Sequence, residues 1–457
     1  MRRNKKGLGT SLLLLMILSI IGGTIYLANS PLFERTPPKI SVPSSLFWNL
    51  KQPLKIHLSD SSGIRSYKII LNDGKSDFTV LDEKVHNPKK EIDVSVQLPK
   101  AGWNRRTNSA RMMITVTDGS QWNFMKGNES TKSVKITIDS KRPQAFVLSN
   151  SYKIVKGGSA LVVFGAKDEY LDKVEVRTNF GKVFKAEPFY KKGYYIALIA
   201  WPVTEKNFRA WVEVTDLAGN RSKAYIHLYF ENHRYKYSKI KLKKRFLEGK
   251  IVDLATEFDE TANVTDPLKQ FKIINETIRE KNENLIHSLT SNISDTLIKR
   301  WNIKPFYPLK NAKKVASFGD HRIYYYNGKP VSESYHLGMD LASIKMAKIK
   351  SSNLGKVVFL GYNGIYGNMP LIDHGLGLYT LYGHCSALLS KEGNGVARNS
   401  VIAKTGKTGL ALGDHLHFGV IVQGIEVRPV EWMDGHWIHD NISSVMETAR
   451  KMIDRRE

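Results

Sequence analysis

Short runs of alternating apolar and polar residues recur along most of this chain and constrain its fold more than any other feature. LKIHLSD (54–60), SYKIILND (66–73), EIDVSVQLP (91–99), RMMITVTD (111–118) and SVKITID (133–139) each alternate with period two between turn residues. Successive side chains of a strand point to opposite faces, so each run can bury one face and wet the other. No helical run intervenes. The spacing predicts a β-sandwich over residues 38–140.

Lys141-Arg142-Pro143 punctuates the chain and the pattern then recurs in SALVVFGAKD, KVEVRTNFGKV, YYIALIAW, AWVEVTD and KAYIHLYF. A second sandwich is expected over residues 143–231. The Asp60-Ser61-Ser62-Gly63-Ile64 stretch parallels Asp168-Glu169-Tyr170-Leu171-Asp172, and Val116-Thr117-Asp118-Gly119 parallels Val214-Thr215-Asp216-Leu217-Ala218-Gly219-Asn220. These matches indicate an internal repeat of about 100 residues. The second of them resembles the V-T-D-x-A-G-N turn of bacterial immunoglobulin-like modules, which implies spacer domains that position something else.

The amino terminus bears on the compartment. Arg2, Arg3, Lys5 and Lys6 precede an uncharged stretch from Gly7 to Ala28 that includes Leu12 to Leu15, Ile17, Ile20, Ile21 and Ile25. About 20 apolar residues can span a bilayer as a helix. Basic residues on the short side favour a cytoplasmic tail at residues 1–6, a transmembrane signal anchor at 7–28 and export of the rest. A cleaved signal peptide ending near Ala28-Asn29-Ser30 is the competing reading.

The formal net charge of +26 favours anionic surroundings such as acidic lipid or a wall polymer. No Walker-type phosphate loop and no zinc-finger spacing occurs, so nucleic acid is not expected as a partner. The single cysteine, Cys385, allows no intrachain disulfide. It follows His384 directly, and a small buried residue is the preferred reading over a nucleophile.

Residues 232–304 read as a basic and helical linker. RYKYSKIKLKKR opens it, and Asp266-Pro267 has the form of a helix start. Leu268, Phe271, Ile274, Ile278, Leu285, Leu289, Ile293 and Leu297 follow at helical spacing, a stripe expected to pack against the next module. From Val315 onward the chain is again β-rich, with GKVVFLGY, MPLIDHG, LYTLYGH and LHFGVIV as strands. A helix is expected within residues 438–457.

Within that last third, His336, Asp340, His384, His415 and His417 stand out. Two imidazoles and a carboxylate, with an open position for water, form a catalytic zinc site, and hydrolysis also needs groups to handle protons. Five candidates exceed three ligand places, and from residue type alone the division stays open. An H-x-H pair by itself is weak, because 13 histidines in 457 residues give about 0.4 such pairs by chance. Gly338 between His336 and Asp340 argues against a helix and lets another group approach closely. No H-E-x-x-H helix is present.

The ordered set SFGDHR, HLGMDLA, HGLGLYTLYGH and GKTGLALGDHLHFGV is far more specific. It resembles the lysostaphin-type (LytM) family of zinc metallopeptidases, whose pattern is H-x-x-x-D, then Y-G-H, then H-x-H. The resemblance covers roughly residues 305–437. It implies one zinc ion held by His336, Asp340 and His417, with His384 and His415 catalytic and His374 structural. Gly419 stands where the family often has glutamate, which touches substrate contacts and no ligand. The resemblance implies hydrolysis of peptide cross-links in bacterial peptidoglycan; the short basic tail and single apolar stretch add the expectation of an inner-membrane protein with its catalytic part in the periplasm or outside the cell. A non-catalytic activator of other cell-wall enzymes is the alternative it leaves.

Overall fold

A computed structural model describes residues 6–104 and 106–456. The expected cytoplasmic tail lies in part outside the described residues. A helix runs from Lys6–Asn29, and every described side chain in it, Ser11–Tyr26, is exposed. Among the described residues no helix is long and apolar enough to cross a membrane. The transmembrane span expected at residues 7–28 is therefore not supported by the structure.

The chain divides into two compact units, residues 1–142 with 215–220, and residues 143–214 with 221–457. In the first, six strands form one hydrogen-bonded sheet around Trp48, Ile56, Leu58, Ile69, Leu71, Met112 and Ile114. LKIHLSD and SYKIILND are not two strands joined by a turn. They form one strand, Leu54–Asn72, whose pairing with Asp77–Val96 shifts register between Ser59 and Ile64. Gly63 takes φ 87° there, and Asp60 Oδ1 accepts from the amide of Ser62 at 2.8 Å. The Asp-Ser-Ser-Gly signal thus produces a bulge, which bends a strand without ending it.

The second unit begins with two four-stranded sheets. The strand Ser159–Lys167 is almost wholly buried, and Phe164, Val176, Phe184, Ile196 and Val212 share one core. That core continues into the last third of the chain. Gln423 Nε2 donates to the carbonyl of Lys185 at 2.9 Å, and Trp432 Nε1 donates to Ser159 Oγ at 3.1 Å.

Residues 237–290 pack on the opposite side of the same module. Tyr237–Lys241 pairs in parallel with His321–Tyr326. Asp266 caps the helix Pro267–Ile273, its carboxylate accepting from the amide of Leu268 at 3.0 Å. Leu242, Leu247, Ile251, Phe271, Ile274, Ile278 and Ile286 are buried against Tyr324, Met369, Leu371, Leu381 and Ile421.

The site rests on an eight-stranded antiparallel sheet. Its order is Lys313–Ala316, Met339–Ala342, Leu416–Val422, Leu378–Gly383, Asn368–Asp373, Gly355–Tyr362 and Gly395–Val396, with Ile425–Val427 beside Leu416–Val422. Leu416–Val422 is central and fully buried, as its continuous apolar run requires. The terminal helix spans Ser444–Asp454.

Candidate metal centre

The pairing of strands brings the five residues together. Asp340 lies directly opposite His417 across the Met339–Ala342 and Leu416–Val422 strands, and Gly383 lies opposite His417 on the other side. Directly opposed residues project to the same face. His336 sits just before its strand and His415 just before Leu416, so each reaches the site from a strand entrance. His384 follows Gly383 in the left-handed region at φ 65°, its amide donating to the carbonyl of Tyr366 at 2.7 Å. A non-glycine residue held in that conformation is strained, a feature that concentrates at functional sites.

Three ligand atoms converge. His336 Nε2 lies 3.0 Å from Asp340 Oδ1 and 3.1 Å from His417 Nδ1, and His417 Nδ1 lies 2.9 Å from Asp340 Oδ1. Ligands about 2.0–2.1 Å from a tetrahedral zinc stand about 3.3 Å apart, so the donor set and its spacing fit that metal. His336 Nδ1 faces the carbonyl of Ser317 at 2.9 Å. A carbonyl only accepts, so Nδ1 carries the proton and Nε2 presents its lone pair to the centre.

The two remaining histidines are set in the same way. His384 Nδ1 donates to the carbonyl of Thr408 at 2.9 Å, and His415 Nδ1 donates to that of Gly413 at 2.8 Å. That bond leaves the other ring nitrogen, Nε2, of each for other contacts. His415 Nε2 stands 3.7 Å from Asp340 Oδ1, and the His384 and His415 rings are 4.8 Å apart. Asp414 pins the loop before His415 by accepting from Thr405 Oγ1 at 2.6 Å and from the amide of Met346 at 3.1 Å.

Burial governs the electrostatics. It would raise the Asp340 carboxyl, but the adjacent His336 and His417 imidazoles outweigh it and hold the group well below the usual carboxylate range. Burial, reinforced by His417 and His415, pushes His384 down to about 3. Burial likewise pushes His417 down to about 4, against the pull of Asp340. Both imidazoles are neutral at neutral pH, the form that binds a metal or accepts a proton.

The neighbouring candidates fall outside the cluster. His374 is buried between the carbonyl of Leu354 at 2.7 Å and Thr380 Oγ1 at 2.8 Å. Cys385 is buried, donates to the carbonyl of Tyr382 at 3.2 Å, and has its thiol pushed up to about 12 by burial, so it is no nucleophile. A Cβ on Gly419 would press on Leu381 Cβ at 3.3 Å, which leaves little room for a larger residue.

A groove of about 820 Å³ opens over the five residues. One wall comes from residues that the motifs do not cover, among them Lys241, Lys243, Arg245, Phe246 and Phe271. Their only signals in the sequence are a basic run and a helical stripe, neither of which names a site.

Residues 334–429 match the family model described as Peptidase family M23. A DD-carboxypeptidase/endopeptidase, Mpg, of Neisseria meningitidis is 40% identical over 95 residues, covering 21% of this chain and 22% of that protein. Peptidoglycan DD-endopeptidase ShyA of Vibrio cholerae is 35% identical over 127 residues, 28% of each. The chain thus spans about a quarter of the length of these relatives. A solved structure of a zinc-containing peptidase from Vibrio cholerae aligns with 77% of this chain and 87% of its own at 15% identity and a TM-score of 0.27, too low to carry an argument.

Proposed function

With an M23 peptidase domain of the LytM type as the premise, we propose that this chain is an exported zinc metallo-endopeptidase that hydrolyses peptide cross-links of bacterial peptidoglycan. One observation carries the reading. His336, Asp340 and His417 converge as a complete ligand set, with two further imidazoles, His384 and His415, beside it. The substrate class comes from the resemblance and from the relatives' names.

Zinc held by His336, Asp340 and His417 would polarise a scissile carbonyl and make water a stronger acid. The chain's own residues do the rest. His415, on the groove side with a free Nε2, takes the proton of the attacking water and returns it to the leaving amine. His384 carries no proton on Nε2, so it accepts a hydrogen bond from that water and orients it. Ser317, Thr408 and Gly413 fix the three tautomers through their carbonyls. The covering wall of the groove lowers the water content around the reacting bond.

The purified chain should contain one zinc ion and release cross-link peptides from sacculi, read by mass spectrometry. His417→Ala, or chelation, should abolish the release; hydrolysis unchanged by either would overturn the reading. No hydrolysis by the zinc-loaded chain, with stimulation of a wall amidase, would indicate a non-catalytic activator instead. The membrane anchor is part of the same proposal. It rests on the uncharged stretch from Gly7 to Ala28, in which Leu12, Leu15, Met16 and Ile20 are all more than half exposed. The full chain should stay in the membrane pellet after alkaline extraction, and a chain without residues 1–30 should not. Recovery of both in the supernatant would remove the anchor from the proposal.

A further inference from the structure

The groove carries charge that the proposed chemistry does not use. Lys241, Lys243 and Arg245 line it, all exposed, and no ion pair within 4 Å joins any of them to a described acidic residue. Lys250, which also lines the groove, donates to the carbonyl of Lys407 at 3.4 Å, and three nearby cations are paired. Lys244 pairs with Glu248 at 3.4 Å, Arg279 with Glu283 at 3.9 Å and Arg322 with Asp320 at 3.2 Å. The two carboxylates that line the groove, Asp340 and Asp414, are committed to the metal centre and its loop.

The backbone under this row is fixed. Lys241 ends a strand paired with His321–Tyr326, and the amide of Leu242 donates to the carbonyl of Tyr325 at 2.8 Å. Leu242 and Leu247 are buried on either side of the cations. The amides of Phe246 and Leu247 both donate to the carbonyl of Lys243, at 2.9 and 3.2 Å. Three like charges held together on one wall repel one another, and they gain most from an anion that lies along the groove.

We propose that Lys241, Lys243 and Arg245 form a specificity wall that selects peptides carrying free carboxylates near the bond to be cut. This rests on the peptidase reading for the identity of the ligand. The row itself is seen in the structure, and its effect can be read without hydrolysis.

The test uses the full chain and a labelled peptide with free side-chain and terminal carboxylates, compared with the same peptide amidated. Binding is followed by fluorescence anisotropy, with zinc and after chelation. The free acid should bind about tenfold tighter than the amide, the sum of three exposed charge contacts, and the gap should shrink as salt is raised. The gap should persist after chelation, which separates the wall from a carboxylate sitting on the metal. K241Q/K243Q/R245Q should bind both peptides alike with an unchanged Tm, and K243Q/R245Q should give an intermediate gap. Equal affinity of the unmodified chain for acid and amide would overturn the inference, as would a gap that survives K241Q/K243Q/R245Q in full or vanishes on chelation. The expected gap in a zinc-loaded chain that cuts neither sacculi nor peptide would support the wall and sink the peptidase reading alone.

Discussion

A Cβ on residue 338 would lie 2.4 Å from Nε2 of His417 and 2.9 Å from the carbonyl oxygen of Phe418. Gly338 therefore allows the proposed ligand His417 to sit where it does. Gly338→Ala should push the ring away and weaken zinc binding by about 10–100-fold, the range for changes that misplace a ligand. Chelator competition measures this, and a normal far-UV spectrum would show the fold intact. His374 offers a different test, because burial pushes it down to about 4 and it belongs to no metal centre. Its neutral form is the folded form. Between pH 4 and 6.5 the unfolded chain binds the extra proton, so stability rises with pH across that window and falls on acidification. The contribution is on the order of 2–3 kcal/mol at neutral pH. His374→Gln keeps a donor and an acceptor but does not titrate, so its Tm should depend less on pH between 4 and 6.5. The five site residues and Gly338 were legible in the sequence because side-chain chemistry and spacing mark them. The carbonyls of Ser317, Thr408 and Gly413 were not, since any residue supplies one. Nor was the left-handed backbone of His384, which only the tertiary fold imposes.

The helical stripe shows how an element can be read correctly and still be mis-phased. Phe271, Ile274 and Ile278 are buried as their spacing requires. Beyond them the stripe predicts Leu285 and Leu289 inward, yet Leu285 is 38% exposed while Ile286 and Thr290 are buried. A wide π-turn at Ile274–Ile278 is the cause. It inserts one residue into the helix, so the fully buried positions after it move on by one, while Leu289 stays half-buried against the same core. The same turn points Asn275 at Ser332 Oγ, 2.8 Å away, and at the carbonyl of Glu333. Ile293 and Leu297 lie past the helix end at Thr290. Ile286→Ala should cost about 2–4 kcal/mol and Leu285→Ala about 0.5 kcal/mol or less, measured by urea denaturation. The reverse order would mean the helix keeps a regular phase in solution. Periodicity carried the existence of this element, and a single π-turn has no reliable signature. The first unit repeats the lesson, where Asp60 to Gly63 bends the strand Leu54–Asn72 and does not close a hairpin.

On the scale of the molecule, the segment that matches the family, residues 334–429, is smaller than the body that must fold to hold the site. Its sheet presents Met369, Leu371, Tyr379, Leu381 and Ile421 on one side, and residues 242–286 cover them. Those covering residues could have been a removable lid, in which case their excision would open the groove and raise activity. The burial of Leu247, Ile251, Phe271, Ile274 and Ile286 to 2% exposure or less argues otherwise. Burial of each such side chain contributes about 1.5–3 kcal/mol, so losing all five removes about 7–15 kcal/mol, as much as the whole stability of about 5–15 kcal/mol typical of a domain. It would also leave an apolar face far larger than soluble proteins expose. A chain with residues 237–290 replaced by a short flexible linker should be insoluble, or should bind a hydrophobic dye and lose cooperative unfolding. A soluble, cooperatively folded and more active product would instead identify the segment as a lid. The motifs located the chemistry because reacting groups need particular side chains in a particular order. They could not delimit the folding unit, because any apolar stripe of suitable phase can cover a sheet, and many sequences supply one.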